Sequence, residues 1–241
     1  MITWHTVTDK GGRDHNEDAV KACEYNGRYC FVLADGLGGH GKGEVASNLV
    51  VQSVFRDFME NYERDSFLKT SLQHAQEALL KEQREENCPM GMKTTVVCLI
   101  VDGNYVQWGF SGDSRLYYFR KKKLKMRTID HSVPQMLALT KEIKEKQIRF
   151  HEDRNRLLKV LGMEYDKPVF EISPIMEKKE NRQFLLCSDG FWELVMEKDM
   201  EKQLKIAKSP EEWIKALEQI VLKNGAGKNM DNYSAVGVWM E

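Results

Sequence analysis

Up to Cys88, this 241-residue chain shows two kinds of hydrophobic pattern. Short apolar or alternating runs, typical of β-strands, come first, and the Asn26-Gly27 pair between two of them favours a hairpin. Apolar residues then recur at helical spacing in two long stretches, which predicts two helices that each bury one face. The predicted strands cover 2–8, 19–24 and 28–34, and the predicted helices cover 44–63 and about 66–86.

Beyond Cys88 the strand pattern returns and helices come again only near the end. The charged stretch 135–156 has a broken helical pattern, which indicates a partly helical segment on the surface. The predicted strands cover 94–101, 105–110, 116–120, 124–128, 169–175, 183–187 and 233–239, and the later helices cover about 197–207 and 210–222.

Strands and helices occur in groups rather than in strict alternation, which is typical of the α+β class. At least nine strands and four helices predict antiparallel sheets stacked as a β-sandwich, with α-helices covering the outside. Because no Pro/Ser-rich linker interrupts the chain, we predict a single domain over residues 1–241.

Composition excludes several function classes. With 36 basic and 37 acidic residues, the net charge is −1, so no nucleic-acid or anionic-membrane partner is expected. No apolar run reaches the roughly 20 residues of a membrane span, and no signal peptide is recognisable. The five cysteines form no Cys-x-x-Cys pair. We therefore expect a reducing compartment and a cytoplasmic protein.

A glycine-rich stretch follows the apolar run 31–34 and begins with Asp35. Glycine permits close approach of the backbone, so this stretch is suited to present a carboxylate to a ligand. The alternative is a flexible turn with a solvated aspartate. The glycines are Gly36, Gly38, Gly39, Gly41 and Gly43.

Aspartates recur at strand ends and glycine turns further along the chain. If the sheets bring these carboxylates together, they repel one another unless protons or a cation neutralise them. Oxygen ligands suit Mg²⁺ or Mn²⁺, and no His/Cys cluster with zinc spacing is present. The alternative is that each aspartate only caps a helix or closes a turn. The acidic positions are Glu17-Asp18, Asp35-Gly36, Gly112-Asp113, Asp189-Gly190 and Asp231-Asn232.

In order and spacing, these motifs resemble the metal-dependent serine/threonine protein phosphatases of the PPM type (type 2C-like), especially the bacterial members. The resemblance implies a central β-sandwich flanked by helix pairs, with a two-metal site at one end. The motifs are Arg13-x-x-Asn16-Glu17-Asp18, Ala34-Asp35-Gly36-Leu37-Gly38-Gly39-His40, Gly43-Glu44-x-Ala46-Ser47, Thr94-Thr95, Gly112-Asp113-Ser114-Arg115-x-Tyr117, Asp130-His131-Ser132, Ser188-Asp189-Gly190-x-Trp192 and Asp231-Asn232.

The resemblance also implies a ligand set for two Mn²⁺ or Mg²⁺ ions. In it, Asp35 bridges both ions and the Gly36 carbonyl binds one of them. Asp189 and Asp231 complete the shell of the second ion, with Glu17 nearby through water. Two such cations acidify the water that attacks phosphorus.

Three further roles follow from the same resemblance. Asp18 accepts a hydrogen bond from the attacking water, and Arg13 clamps two phosphate oxygens with its forked guanidinium. Asp113 holds a third, weaker ion together with Asp189, or else is a structural turn acid. The segment at about 132–160, called the flap segment below, matches a family flap beside the site and is a candidate for substrate discrimination.

Two positions depart from the wider family. Leu37 stands where many eukaryotic members have a candidate general-acid His, as expected for the bacterial branch. Lys93 replaces the usual Gly before the Thr pair. His40 is a candidate proton donor, but a lone His in a glycine loop is more often structural.

The implied function is hydrolysis of phosphoserine and phosphothreonine in proteins, opposing a cognate Ser/Thr kinase, by an enzyme expected to be a monomer. Two rival functions are a non-catalytic module that binds phosphorylated partners and a phosphodiesterase acting on nucleic acid. The complete set of carboxylates argues against the first, and the neutral charge argues against the second.

Overall fold

Two antiparallel sheets stack face to face in the computed structural model, which describes residues 1–38, 42–88 and 91–241. In those residues the strands are β1 (Ile2–Asp9), β2 (Asp18–Tyr25), β3 (Arg28–Leu37), β4 (Lys93–Thr94), β5 (Val96–Asp102), β6 (Tyr105–Ser111), β7 (Arg115–Arg120), β8 (Lys123–Arg127), β9 (Glu171–Ile172), β10 (Met176–Glu177), β11 (Arg182–Cys187) and β12 (Tyr233–Met240). The helices are α1 (Lys42–Glu60), α2 (Phe67–Glu85), α3 (Val133–Leu139), α4 (Asp189–Trp192), α5 (Glu197–Ile206) and α6 (Pro210–Gly225), with a 3-10 helix at Glu145–Phe150.

The first and last strands of the chain pair with each other. One sheet has the order β1-β12-β11-β7-β8 and the other has the order β10-β6-β5-β3-β2, with β4 added to β3 and β9 added to β6. Each sheet therefore joins segments that lie far apart in sequence. As a result, the ends of β2, β3, β11 and β12 bring residues from both halves of the chain to one end of the sandwich.

The central strands bury both of their faces. In β3, Phe31 and Leu33 point between the sheets, whereas Cys30 and Val32 pack in the core under α1 and α2. This two-sided burial explains why the central strands are continuous apolar runs rather than alternating ones.

A pair of helices covers the outer face of each sheet. Helices α1 and α2 pack on the sheet that contains β3, and α5 and α6 pack on the sheet that contains β12. Helix α6 begins where its sequence predicts, because Ser209 Oγ accepts the Glu212 N–H at 3.1 Å and Pro210 occupies the first turn. The predicted α+β sandwich flanked by helix pairs is confirmed.

The flap segment contains α3 and the 3-10 helix. Its two ends meet, since Ser132 and Leu157 form a β-bridge and the Leu158 N–H donates to the His131 carbonyl at 2.7 Å. About half of its residues are exposed, as expected of a surface segment, whereas Ile148 is buried in the core beneath α5 and α6.

The prediction of a strand over 169–175 is largely wrong, because only Glu171–Ile172 is paired there. Pro168 and Pro174 bracket this pair and have no N–H to donate to a ladder. The four-residue helix α4, which starts at Asp189, is too short to leave a periodic pattern. In the part of the chain that the structure describes, no helix is both long and apolar enough to cross a membrane.

Candidate active site

Asp18 and Asp35 lie opposite each other on the hairpin of β2 and β3. The backbone of Asp35 is fixed by the Thr pair that follows on the next strands. Its N–H donates to Thr95 Oγ1 at 3.0 Å, and its carbonyl accepts the Thr95 N–H at 2.9 Å and Thr94 Oγ1 at 2.8 Å. These contacts hold the end of β3, and with it the Asp35 carboxylate, in one position.

Gly36 and Gly43 allow the start of α1 to approach β3 very closely. A Cβ at Gly36 would lie 2.1 Å from the Gly43 carbonyl oxygen, and a Cβ at Gly43 would lie 2.8 Å from Glu17 Oε2. The Gly36 N–H donates to the Glu17 carbonyl at 3.0 Å. These two glycines are therefore required where the backbone meets the carboxylates, as the glycine-rich pattern predicts.

Asp189 and Asp231 reach the same end of the sandwich from the other sheet. Asp189 begins α4 directly after β11, and Asp231 precedes β12, which pairs with β11. A Cβ at Gly190 would lie 2.1 Å from the Asn232 carbonyl oxygen, so only glycine permits this approach. Asn232 also joins the N-terminal loop, because its Oδ1 accepts the Glu17 N–H at 2.8 Å.

The Asp18 carboxylate is buried beneath this junction. Its Oδ2 accepts a hydrogen bond from Ser188 Oγ at 2.8 Å, while its Oδ1 is buried without a hydrogen-bond partner. Burial raises the pKa of Asp18 to about 7; hydrogen bonds from Ser234 and Ser188 oppose the rise, and repulsion from Asp189 and Asp231 adds to it. A buried carboxylate oxygen without a partner can still accept a hydrogen bond or bind a cation.

Asp113 is buried in the turn between β6 and β7. Its carbonyl accepts the Trp192 Nε1–H at 3.0 Å, which ties this turn to α4. Burial, and then repulsion from Asp189, holds the pKa of Asp113 well above its usual range. Asp113 therefore lies within electrostatic reach of Asp189, as a role in the same site requires.

The carboxylates act on one another. Burial, and then repulsion from Asp18 and Asp189, holds the pKa of Asp35 well above its usual range. Burial raises the pKa of Asp189 to about 6, with Asp231 as the next cause. Burial followed by repulsion from Asp231 also raises the pKa of Glu17. A cation placed among these groups would relieve this repulsion.

The donors fit hard divalent cations in their chemistry. They are carboxylate and carbonyl oxygens, and the carboxylates repel one another. Asp18 Oδ1, opposite Asp35, is a further carboxylate oxygen and has no hydrogen-bond partner. Within residues 1–38, 42–88 and 91–241, no group of three or more His, Cys, Asp or Glu side chains is arranged to hold a metal ion. The donors therefore match a hard divalent cation in atom type and in charge, and they do not form a completed coordination shell.

Arg13 lies at the exposed rim, where its Nη2 donates to Asp231 Oδ2 at 2.8 Å. Both side chains are close to half exposed, at 47% and 40%. Arg13, the expected phosphate clamp, and Asp231, an expected metal ligand, therefore form an ion pair in this structure. Arg13 is placed within reach of the carboxylate cluster, and its present partner is one that it can exchange.

A cavity of about 410 Å³ opens beside Asp189 and Asp231. One wall belongs to the carboxylate end of the sandwich and the opposite wall belongs to the flap segment. Residues that line it include Arg13, Phe150, Arg154, Asn155, Asp189, Glu193, Lys228 and Asp231. A substrate in this cavity would contact both walls.

Glu193 and Arg154 are two cavity residues that the sequence analysis does not single out. Arg154 Nε lies 3.0 Å from Glu193 Oε1. Burial raises the pKa of Glu193 to about 7, with Asp189 as the next cause and Arg154 opposing it. Neither residue stands at a strand end or in a glycine turn, so only the fold shows that they line the cavity.

Other positions named in the sequence analysis are not part of this carboxylate site. Lys93 lies in β4 opposite Leu37, and Thr94 and Thr95 form the backbone contacts expected of structural residues. His40, the candidate proton donor, lies outside the described residues, as do Gly39 and Gly41 of the glycine-rich stretch.

The family model described as Protein phosphatase 2C matches residues 11–231. The chain belongs to the protein phosphatase 2C family. The matched range contains every candidate site residue, from Arg13 to Asp231. The family predicted from the motifs is therefore confirmed.

Curated members of the protein phosphatase 2C family from bacteria are similar over most of the chain. The serine/threonine phosphatase stp of Listeria monocytogenes serotype 4b is 32% identical over 206 residues, which cover 82% of this chain and 81% of that protein. The serine/threonine protein phosphatase PstP of Mycobacterium tuberculosis is 29% identical over 236 residues, which cover 95% of this chain and 44% of that protein.

Solved structures agree with the fold. The serine/threonine phosphatase Stp1 of Staphylococcus aureus superposes with a TM-score of 0.89 at 29% identity and covers 100% of this chain and 96% of that one. The catalytic domain of PstP in complex with two manganese ions gives a TM-score of 0.82 at 27% identity, and the match covers 98% of this chain and 97% of that one.

Proposed function

We propose that this chain hydrolyses phosphoserine and phosphothreonine in proteins and depends on a divalent metal for this activity. The observation that carries the proposal is the convergence of Asp18, Asp35, Asp113 and Asp189 at one end of the sandwich, where burial and then repulsion from other acids of the site raise the pKa of each of them. Membership of the protein phosphatase 2C family supports it, as does the naming of the relatives as serine/threonine phosphatases.

The metal would be Mn²⁺ or Mg²⁺, held as two ions by Asp35, the Gly36 carbonyl, Asp189 and Asp231, with Glu17 close by. Asp113 and Asp189 together would hold a third ion. When bound, the ions supply positive charge to the phosphate and an acidified water. The complex of the related PstP catalytic domain with two manganese ions supports this choice of cofactor.

The chain's own residues have two further tasks in this proposal. Asp18 Oδ1, the carboxylate oxygen without a partner, accepts the hydrogen bond of the attacking water and takes up its proton. Arg13 leaves Asp231 to bind two phosphate oxygens, since a doubly charged phosphate is a stronger partner than one half-exposed carboxylate.

The biological setting is also proposed. Phosphorylated proteins are the substrates, a cognate Ser/Thr kinase supplies them, and the enzyme acts as a cytoplasmic monomer. We propose that residues 1–241 form one domain, and the core between the sheets, which takes side chains from both of them, supports this proposal. The flap segment at about 132–160 forms one wall of the cavity and contributes to substrate choice.

Phosphate release tests the proposal. Matched phosphoserine, phosphothreonine and phosphotyrosine peptides are incubated with Mn²⁺, with Mg²⁺ and with a chelator. We expect release from the first two peptides only, and only with metal. Release that persists after thorough chelation would contradict the proposal, and so would calorimetry that detects no Mn²⁺ binding.

A further inference from the structure

Arg149 is a buried arginine in the 3-10 helix of the flap segment. Its side chain is only 4% exposed, although the neighbouring residues Lys146 and Phe150 are exposed. A guanidinium cannot lose its charge in a protein, so burial is tolerated only where its donors find acceptors. The acceptors of Arg149 therefore show what holds this helix in place.

Those acceptors all lie in the segment that follows Asp189. Nη1 donates to the Trp192 carbonyl and to the Val195 carbonyl, the latter at 3.2 Å, and Nη2 donates to Glu197 Oε1 at 2.7 Å. One side chain thus spans the gap between the flap segment and the chain that carries a candidate metal ligand.

Trp192 extends this connection into the carboxylate cluster. Its Nε1–H donates to the Asp113 carbonyl, and two guanidinium groups lie near its ring, with Arg115 at 3.4 Å and Arg149 at 5.6 Å from the ring centroid. The residue that accepts a hydrogen bond from Arg149 also fixes the turn of Asp113. The hydrogen bond to Asp113 and the contact with Arg115 do not involve Arg149, so they still hold the carboxylate wall when Arg149 is replaced.

The other charge pairs of the flap segment are more exposed. Arg154 is 40% exposed in its pair with Glu193, and Glu145 is 70% exposed in its pair with Arg127. Exposed pairs are weak because water screens them. Loss of Arg149, by contrast, would leave the Trp192 and Val195 carbonyls without this donor, whereas Glu197 would keep the hydrogen bond from the Tyr117 hydroxyl.

We infer that Arg149 is a positioning residue that fixes the flap segment over the cavity and so sets how well a phosphopeptide is accepted. The inference rests on the proposed function. A peptide in the cavity would contact both walls, including Phe150 at the end of the 3-10 helix and Arg154 beyond it; Arg149 also borders the cavity but is almost fully buried. A small phosphate ester reaches only the carboxylate wall, so its hydrolysis does not depend on the flap position.

Amide hydrogen exchange tests the positioning without any activity measurement. In Arg149→Met we expect exchange over residues 145–158 to accelerate about tenfold or more, with β5 and β6 unchanged. Arg149→Lys should be intermediate, because an ammonium can replace Nη1 or Nη2 but not both. Lys146→Met, an exposed cation of the same helix, is the matched control and should behave as wild type.

Unchanged exchange over 145–158 in the folded Arg149 variants would overturn the inference. Equal acceleration across the whole molecule would also overturn it, since it would mean a general loss of stability. Arg149→Lys keeps the test available if Arg149→Met does not fold.

Kinetics with Mn²⁺ then test the consequence for substrates. For Arg149→Met we expect KM for a phosphothreonine peptide to rise about fivefold, and kcat/KM for p-nitrophenyl phosphate to stay within about twofold. Equal losses on both substrates would contradict the role in peptide acceptance. If the wild type releases phosphate from neither substrate, the proposed function fails, whereas hydrogen exchange still decides what Arg149 positions.

Discussion

Two buried charged regions lie on either side of Trp192, and they are built in opposite ways. On one side, Asp113, Asp35 and their neighbours place like charges together. On the other side, Arg115 binds Asp130 through two hydrogen bonds, from Nε to Oδ1 at 2.9 Å and from Nη2 to Oδ2 at 2.6 Å. The Trp192 indole donates to the Asp113 carbonyl and stacks on Arg115, so one side chain contacts both regions.

The difference lies in whether a region neutralises its own charge. Burial lowers the pKa of Arg115, but attraction to Asp130 outweighs it and keeps that pKa well above its ordinary value. The Arg115–Asp130 pair is complete within the protein. The carboxylate cluster is complete only with protons or a cation, and this need marks it as the functional region.

Replacement of a carboxylate in the cluster should have the largest effect. In Asp35→Asn we expect phosphate release to fall about a thousandfold, because the amide cannot supply the negative charge that two cations require. The same variant should be more stable than the wild type in chelator, since one source of repulsion is gone. Activity assays and urea unfolding measure the two effects, and a fully active variant would sink the site assignment.

Replacement of a residue in the paired region should instead lower the stability of the fold. Asp130→Ala leaves Arg115 buried without its partner, and we expect unfolding free energy to fall by about 3–5 kcal/mol. Urea unfolding in chelator measures this loss. The exposed pair Glu211–Lys215 is the control, and Glu211→Gln should leave the unfolding midpoint nearly unchanged. If both variants gave equal small shifts, the paired region would not have the stabilising role assigned to it.

The metal-free protein should lose stability as pH rises from 5 to 8. The pKa values of Asp18 and Asp189 are raised to about 7 and about 6 in the folded state, above those of an unfolded chain, so folding retains protons that unfolding releases. This contribution is complete below the unfolded pKa and disappears as pH rises through the folded values.

Thermal unfolding across this pH range, with and without Mn²⁺, measures the effect. We expect the slope to disappear when Mn²⁺ replaces the protons, and Asp35→Asn to show a shallower slope in chelator. A metal-free stability that rises steadily from pH 5 to 8 would contradict the mutual repulsion of the cluster.

Arg13→Lys should have the smallest effect of the four. Arg13 and Asp231 are close to half exposed, so we expect the stability to be unchanged. The ammonium cannot bind two phosphate oxygens in parallel, and kcat/KM for a phosphopeptide should fall about tenfold. In Arg13→Ala, kcat/KM for the same phosphopeptide should fall further. An unchanged kcat/KM in both variants would remove Arg13 from phosphate binding.

Much of the candidate site could be predicted because each acid follows a local signal. Asp35 comes directly after an apolar run and Asp189 comes one residue after another; both precede a glycine, and such junctions are visible in sequence. Glu193, Arg154 and Arg149 carry no such signal. Their roles come from partners on other elements, and one chain without those partners gives no indication of them.

By itself, the sequence determined most of the longer strands and helices, because hydrophobic period and turn chemistry depend on neighbours a few positions away. Through its ordered motifs it also determined the family. Only the tertiary structure decided that Asp18 faces Asp35, that Arg13 binds Asp231 and that Arg149 holds the flap segment to Trp192 and Glu197. The physical reason is that periodicity records which face of an element is buried, whereas the partner of a buried charge is chosen by long-range packing.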